Sequence, residues 1–293
     1  MFVVTVPVSL AAFAMARRVL AQDAPGVRRT VDWAGTATVT GAVIALVHGA
    51  VDAVDHAWTS PRVGGLFAVS SVLMATFIAI ERRAADPLVP VELFRSRMLR
   101  TGTAVALLGG ASRVPTFVLV ALYFQQVLAV SPERAGFAMV PTSLTGFAVS
   151  LTVLPRVLGV IGPLRSMVLG LVVLAAGHLW LANVQSGSAY VVAVLPGLLL
   201  VTTGVALSFT PTTMVLASAV PARHTGLASG LAGASMQVGG ALGTAAFVVI
   251  GISSGRRVEG ALDAAGFSAA FTAAAVVALL TAALGATLVW PRP

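Results

Sequence analysis

Apolar blocks of about 20 residues, all but one free of charge, recur from one end of this 293-residue chain to the other. That recurrence constrains the fold more than any motif does. A helix needs about 20 such residues to cross the hydrocarbon of a bilayer, and only helices and closed barrels satisfy their own backbone there. The blocks fall at residues 1–16, 33–51, 63–80, 101–123, 136–155, 166–183, 189–210, 225–250 and 266–290. Residues 166–222 hold no Asp, Glu, Lys or Arg, but the polar run 183–188 interrupts them, so two helices joined by a hairpin are expected. Charged residues make up 10% of the chain, against roughly 25% in soluble domains. Too few remain to cover a soluble surface. The expectation is an all-α integral membrane protein with about nine transmembrane helices.

The placement of the charges orients that set. All 18 basic residues are arginine, and the net charge is +8. A nucleic-acid face would need clustered charge on a solvated surface; these arginines sit in short gaps between apolar blocks, so no nucleic-acid partner is expected. Segments on one side of the bilayer hold 13 arginines and those on the other hold Arg62, Arg134, Arg256 and Arg257. The positive-inside rule then puts the C-terminus in the cytoplasm of a plasma-membrane protein, and nine spans put the N-terminus outside. Residues 1–16 do not read as a signal peptide, because Arg17 and Arg18 follow the apolar core instead of preceding it. A short first span and odd parity suggest a portion of something longer. Trp33, Trp58, Tyr123, Tyr190 and Trp290 fall near span ends, where aromatic rings favour the interface. Without cysteine there is no disulfide framework or thiolate metal site.

Arg113 is the most informative single residue. It lies about 18 Å along the helix that starts near Thr101, at 1.5 Å per residue. A cation that deep costs at least ~2.5–3.5 kcal/mol to insert and normally faces a cavity or a partner. Two readings follow: a cavity cation for anionic groups of a substrate, or an arginine reaching the outer headgroups from a shifted span. No Asp or Glu lies mid-span. The groups left for protons or gating are Asp52, Asp55, His48 and His178, with His56 beside the acids; a solvated loop is the alternative for the acids. Gln125 and Gln126 end the Arg113 helix, and Gln237 sits mid-span, suited to an interhelical hydrogen bond or to a substrate cavity. Gly226, Gly230, Gly239 and Gly243 place small residues along one helix and suggest close helix packing. Phosphate-binding loops, nucleophile elbows and metalloprotease motifs are absent, so no enzyme is expected. No metal or cofactor is expected either, although His48 and His178 on different helices keep open a haem-binding membrane anchor of a respiratory complex.

Several local patterns resemble the major facilitator superfamily, specifically its fourteen-helix drug:proton antiporter branch. They are Asp32-Trp33-Ala34-Gly35, Asp86-Pro87-Leu88-Val89-Pro90 followed by Glu92-Leu93-Phe94-Arg95, and Tyr123-Phe124-Gln125-Gln126 with Ser131-Pro132 and Pro141. The last is Gly226-Leu227-Ala228-Ser229-Gly230 with Gln237 and Gly239-Gly240. The resemblance covers nearly the whole chain. It implies that residues 1–21 are the end of a sixth helix, 22–100 an extra helix pair and loop, and 101–293 a C-terminal six-helix bundle. The implied function is proton-coupled efflux of drugs or other small amphiphilic molecules, with a separately encoded N-terminal half as an expected partner and a non-functional fragment as the alternative. Two departures from the family's pattern stand out. The segment 154–165 lacks the acid usual there, and Met236 stands where an arginine is common.

Overall fold

The computed structural model describes residues 2–19, 32–56, 59–84, 87–185, 189–255, 257–258 and 261–289. The chain divides into two units, Met1–Asp32 and Trp33–Pro293. The first contains one helix, α1 (Phe2–Val19), in which the Arg17 guanidinium lies 5.9 Å over the Phe13 ring. The second contains α2 (Trp33–Asp55), α3 (Pro61–Glu81), a tight turn at Val91–Arg95, α4 (Arg97–Gln126) and α5 (Pro132–Ala138). It continues through α6 (Val140–Ala148), α7 (Leu154–Ala182), α8 (Leu195–Ser218), α9 (Thr225–Ser254) and α10 (Ala264–Val289). Two-residue strands, β1 (Arg257–Val258) and β2 (Ala261–Leu262), pair antiparallel between the last two helices.

Helix starts follow local chemistry. Ser60 and Ser131 each precede a proline, and their hydroxyls accept hydrogen bonds from the backbone N–H of Val63 (3.3 Å) and Arg134 (3.5 Å). Proline suits the first helical position because the N–H it lacks has no helical partner there, and serine is a preferred cap. Ser96 caps α4 in the same way through Leu99 N–H. Wide turns at Val149–Val153 and Tyr190–Val194 run directly into Leu154-Pro155 and Leu195-Pro196. A proline ring displaces the carbonyl four residues back, and an extra residue in the turn absorbs that clash.

Seven helical segments among the described residues are long and apolar enough to cross a membrane. The expected nine differ from this count because α1 is not among the seven and because residues 132–182 form one continuous segment. That segment folds back on itself. Gly146 faces Thr202 of α8, and Leu154 packs with Leu207; beyond the bend, Ser166 bonds the Leu207 carbonyl and Gly177 faces Val201 and Gly197. The two arms therefore run in opposite directions along α8. The reversal is made at Gly162, whose φ of +75° suits only glycine, followed by Pro163.

Two crossings hold the bundle, and both are built on glycine. At α7–α8, an added Cβ on Gly170 would stand 2.6 Å from Ser208 N, and one on Gly177 would stand 2.6 Å from Val201 N. At α4–α9, Gly110, Gly239 and Gly243 let one backbone lie directly on the other. α10 closes the core with Ala270, Ala274, Ala278 and Ala282, all at most 4% exposed, and with Phe267 and Phe271. The α2–α3 hairpin is tied by Ser70 Oγ donating to the Ala42 carbonyl (2.8 Å) and packs on α9. Large apolar side chains such as Phe147, Val160, Val192 and Leu280 point outward. In water such a surface would aggregate; in a bilayer it is the normal exterior.

Candidate functional site

The centre of interest lies where α4, α8 and α9 meet. Arg113 is 2% exposed, which excludes a side chain reaching toward headgroups. Its guanidinium turns inward: Nε donates to Ser208 Oγ (3.0 Å), Nη2 to Thr212 Oγ1 (3.3 Å) and Nη1 to Met236 Sδ (3.3 Å). Both hydroxyls spend their own protons on the α8 backbone, Ser208 on the Gly204 carbonyl (2.7 Å) and Thr212 on the Ser208 carbonyl (2.6 Å). Their lone pairs are thus free to accept from the guanidinium. Among the described residues no carboxylate pairs with Arg113; the ion pairs there all involve Asp52.

Sequence-adjacent glycines make room for this arrangement. A Cβ on Gly109 would stand 2.8–2.9 Å from the Arg113 guanidinium, and one on Gly110 would overlap the Met236 backbone. One glycine accommodates the cation and the next admits the helix that carries its sulfur partner. Prolines 115 and 211 each free a carbonyl four residues back. Ser166 Oγ donates to the freed Leu207 carbonyl (3.0 Å), and the freed Ala111 carbonyl faces Gly243, where an added Cβ would overlap it. At Leu207 a neighbouring helix thereby re-satisfies the backbone, as the hydrocarbon region demands.

One helical turn beyond Arg113, Thr116 donates to the Ser112 carbonyl (3.1 Å) and lies 2.6 Å from His178 Nε2. With the threonine proton committed, the bond runs from Nε2–H to Oγ1. His178 is fully buried, stacks on Phe271 at 6.5 Å between centroids, and its Nδ1 has no partner. His48 is exposed on α2. The two histidines that suggested a haem pair therefore sit in separate surroundings, one of them already bonded to threonine.

The acids at the far end of α2 resolve differently. Asp52 Oδ2 lies 2.6 Å from Arg62 Nε, so this carboxylate ties α2 to the start of α3 instead of standing free. His56 Nδ1 faces the Asp52 carbonyl at 3.3 Å. The side chain of Asp55 lies outside the described residues, as do Trp58 and Trp290. Gln125, Gln126 and Gln237 are exposed on the bundle surface and do not converge on Arg113. Of the four glycines expected in close packing, Gly239 and Gly243 are there, but a Cβ on Gly226 or Gly230 would meet nothing within 4 Å. Gly226 and Gly230 face away from α4, whereas Ala228 and Ala232 of the same turns are buried with Leu99 of α4 and Leu216 of α8.

Residue-by-residue reading missed Ser208, Thr212, Ser166 and Thr116. Their one linear signal was a pair of hydroxyls four apart bracketing Pro211 in an otherwise apolar span. Met236 was noticed only as a departure, yet it supplies a ligand to Arg113. Glu81 was also passed over: it is 4% exposed, and its two oxygens accept from Leu88 N–H (3.3 Å) and Val89 N–H (3.1 Å).

The glycine-sealed helix bundle with a buried cation defines a multi-pass α-helical membrane protein. A family model described as the Major Facilitator Superfamily matches residues 1–244, and the chain belongs to that family. It is 34% identical over 262 residues to a tetracenomycin C resistance and export protein of Streptomyces glaucescens, covering 88% of this chain and 47% of that one. It is 31% identical over 284 residues to the cephamycin export protein CmcT of Amycolatopsis lactamdurans, covering 96% and 58%. It is 30% identical over 223 residues to the multidrug resistance protein Stp of Mycobacterium tuberculosis, covering 76% and 40%. The chain spans about half the length of the curated relatives it matches.

Proposed function

We propose that this chain forms one wall of a proton-coupled export permease of the plasma membrane, moving small amphiphilic molecules such as antibiotics outward. In this reading residues 101–293 are a six-helix half, residues 22–100 carry an extra helix pair, and a second half supplies the facing wall. Nine spans and a cytoplasmic C-terminus belong to the same reading. Three relatives bearing resistance or export names support the substrate class. The observation that carries the mechanism is Arg113, a buried cation held by two hydroxyls and a thioether, with no carboxylate paired to it among the described residues. Such a charge is costly at membrane depth. It acts as a fixed positive potential that favours an acidic group approaching from the facing half, and it couples α4 to α8 and α9 as the halves rock around a midplane site. Gln237, exposed on α9, and Gln125 and Gln126 at the end of α4 contribute polar contacts away from Arg113.

The test is accumulation of a fluorescent amphiphile in a bacterium lacking its own exporters. The chain is expressed with a facing half, on the same polypeptide or alongside it. Expected is reduced accumulation that a protonophore abolishes. Export that persists after the proton gradient collapses would overturn the coupling, and no export in any such context would overturn the assignment.

A further inference from the structure

A second feature is independent of Arg113. An apolar cavity of about 660 Å³ lies between the α2–α3 hairpin and the first turns of α9. Its walls include Val39, Met74, Phe77, Leu227, Gly230 and Leu231, and Arg82 stands at its edge. The volume falls within the range of small-molecule pockets. The exposed charge at its polar end is that of Arg82. Glu81, the acid in the lining, is buried with both oxygens turned to the backbone N–H groups of Leu88 and Val89. Arg82 is exposed, directly after the last residue of α3, and forms no ion pair among the described residues. Arg83, Arg95, Arg97, Arg100 and Arg223 belong to segments on the same side of the bilayer.

From this geometry we infer that the groove is a binding site for an anionic glycerophospholipid of the arginine-rich leaflet. An acyl chain lies along Met74, Phe77 and Leu231, and the headgroup phosphate sits at Arg82. Length and charge both favour a lipid. The groove runs along helix axes and is apolar at depth, and its cationic mouth is at the end of a spanning helix, where phosphates lie. Basic pockets between transmembrane helices on an arginine-rich side bind acidic headgroups on these grounds. Gly230 explains the width. A Cβ there would meet nothing within 4 Å, so the missing side chain leaves the space the acyl chain fills.

The test uses the full chain in nanodiscs with phosphatidylglycerol or phosphatidylcholine carrying a photoactivatable group on one acyl chain, read by peptide mapping. Labelling of the Met74–Phe77 and Leu227–Leu231 segments is expected to favour phosphatidylglycerol about five-fold, the preference one guanidinium near a bilayer surface confers. Arg82→Gln should abolish the preference while leaving acyl labelling. Gly230→Leu should remove labelling from the groove by either lipid, leaving the outward-facing Val69 and Val72 of α3 labelled. Equal labelling of the groove by both lipids in the unaltered chain would overturn headgroup recognition. Groove labelling no stronger than at Val69 and Val72 would show an ordinary annular lipid. Loss of groove labelling when a second half is co-expressed would make the occupant a protein helix. Either of those last results overturns the proposal.

Discussion

Gly239→Ala, compared with Gly230→Ala, tests the packing argument on a single helix. At Gly239 an added Cβ would overlap the Leu107 carbonyl oxygen and stand 2.7 Å from its carbonyl carbon. Ordinary contact begins at 3.4 Å, so the carbonyl carbon alone requires α4 and α9 to part by about 0.7 Å, and the nearer oxygen requires more. A gap of that size forfeits a quarter to a half of the dispersion well for neighbouring atom pairs. The obstacle is backbone, which has no other rotamer to adopt, so the cost belongs toward the upper part of the ~1–3 kcal/mol range for overpacking. Little helix propensity is regained, because helices persist in the membrane-unfolded state. The expected loss is about 3 kcal/mol for Gly239→Ala. Gly230→Ala meets no atom within 4 Å and should stay within about 0.5 kcal/mol of the parent. The assay is unfolding of the purified chain by SDS titration from mild detergent, followed by tryptophan fluorescence. Equal midpoints for the two variants would refute the claim that α4 and α9 touch through their backbones.

Arg113→Met replaces a buried cation by an apolar chain of similar length. Thermal stability in detergent should hold or rise, since removing a poorly compensated buried charge is often neutral or stabilising, while export falls at least about tenfold, the loss of one charge-assisted interaction; retained export would leave Arg113 a purely structural residue. Thr116→Val strips His178 Nε2 of its 2.6 Å partner and should destabilise by about 1 kcal/mol in the same SDS titration. An unchanged midpoint would show that the histidine finds another acceptor. Asp52→Asn should loosen the α2–α3 end by less than about 1 kcal/mol, because Arg62 is 61% exposed. It should also leave the pH profile of export in place; a displaced profile would make Asp52 a proton carrier.

Legibility differed between elements for physical reasons. Ser60-Pro61 and Ser131-Pro132 marked helix starts directly, since capping is a local interaction of a few residues. The Gly162-Pro163 bend was implicit between two expected spans, but the helical turns that run up to it from both sides were not, because arginines at 156 and 165 suggested a loop. Arg113 stood out through its cost in the bilayer, whereas Ser208 and Thr212 did not. A hydroxyl that bonds its own helix carbonyl costs little and leaves no mark on a hydropathy pattern.

By itself the sequence determined that the chain lives in a bilayer, roughly where its helices run, and which loops gather positive charge. Those properties depend on block length and charge count, which are additive along the chain. Only the tertiary structure decided which side of each helix faces inward. In water, burial sorts apolar from polar residues and imprints a period on the sequence; in lipid the exterior is as apolar as the core, so that period is lost. The inward face is set instead by where backbones fit together. Gly239 therefore turned inward and Gly230 did not, and Met236 became a partner of Arg113.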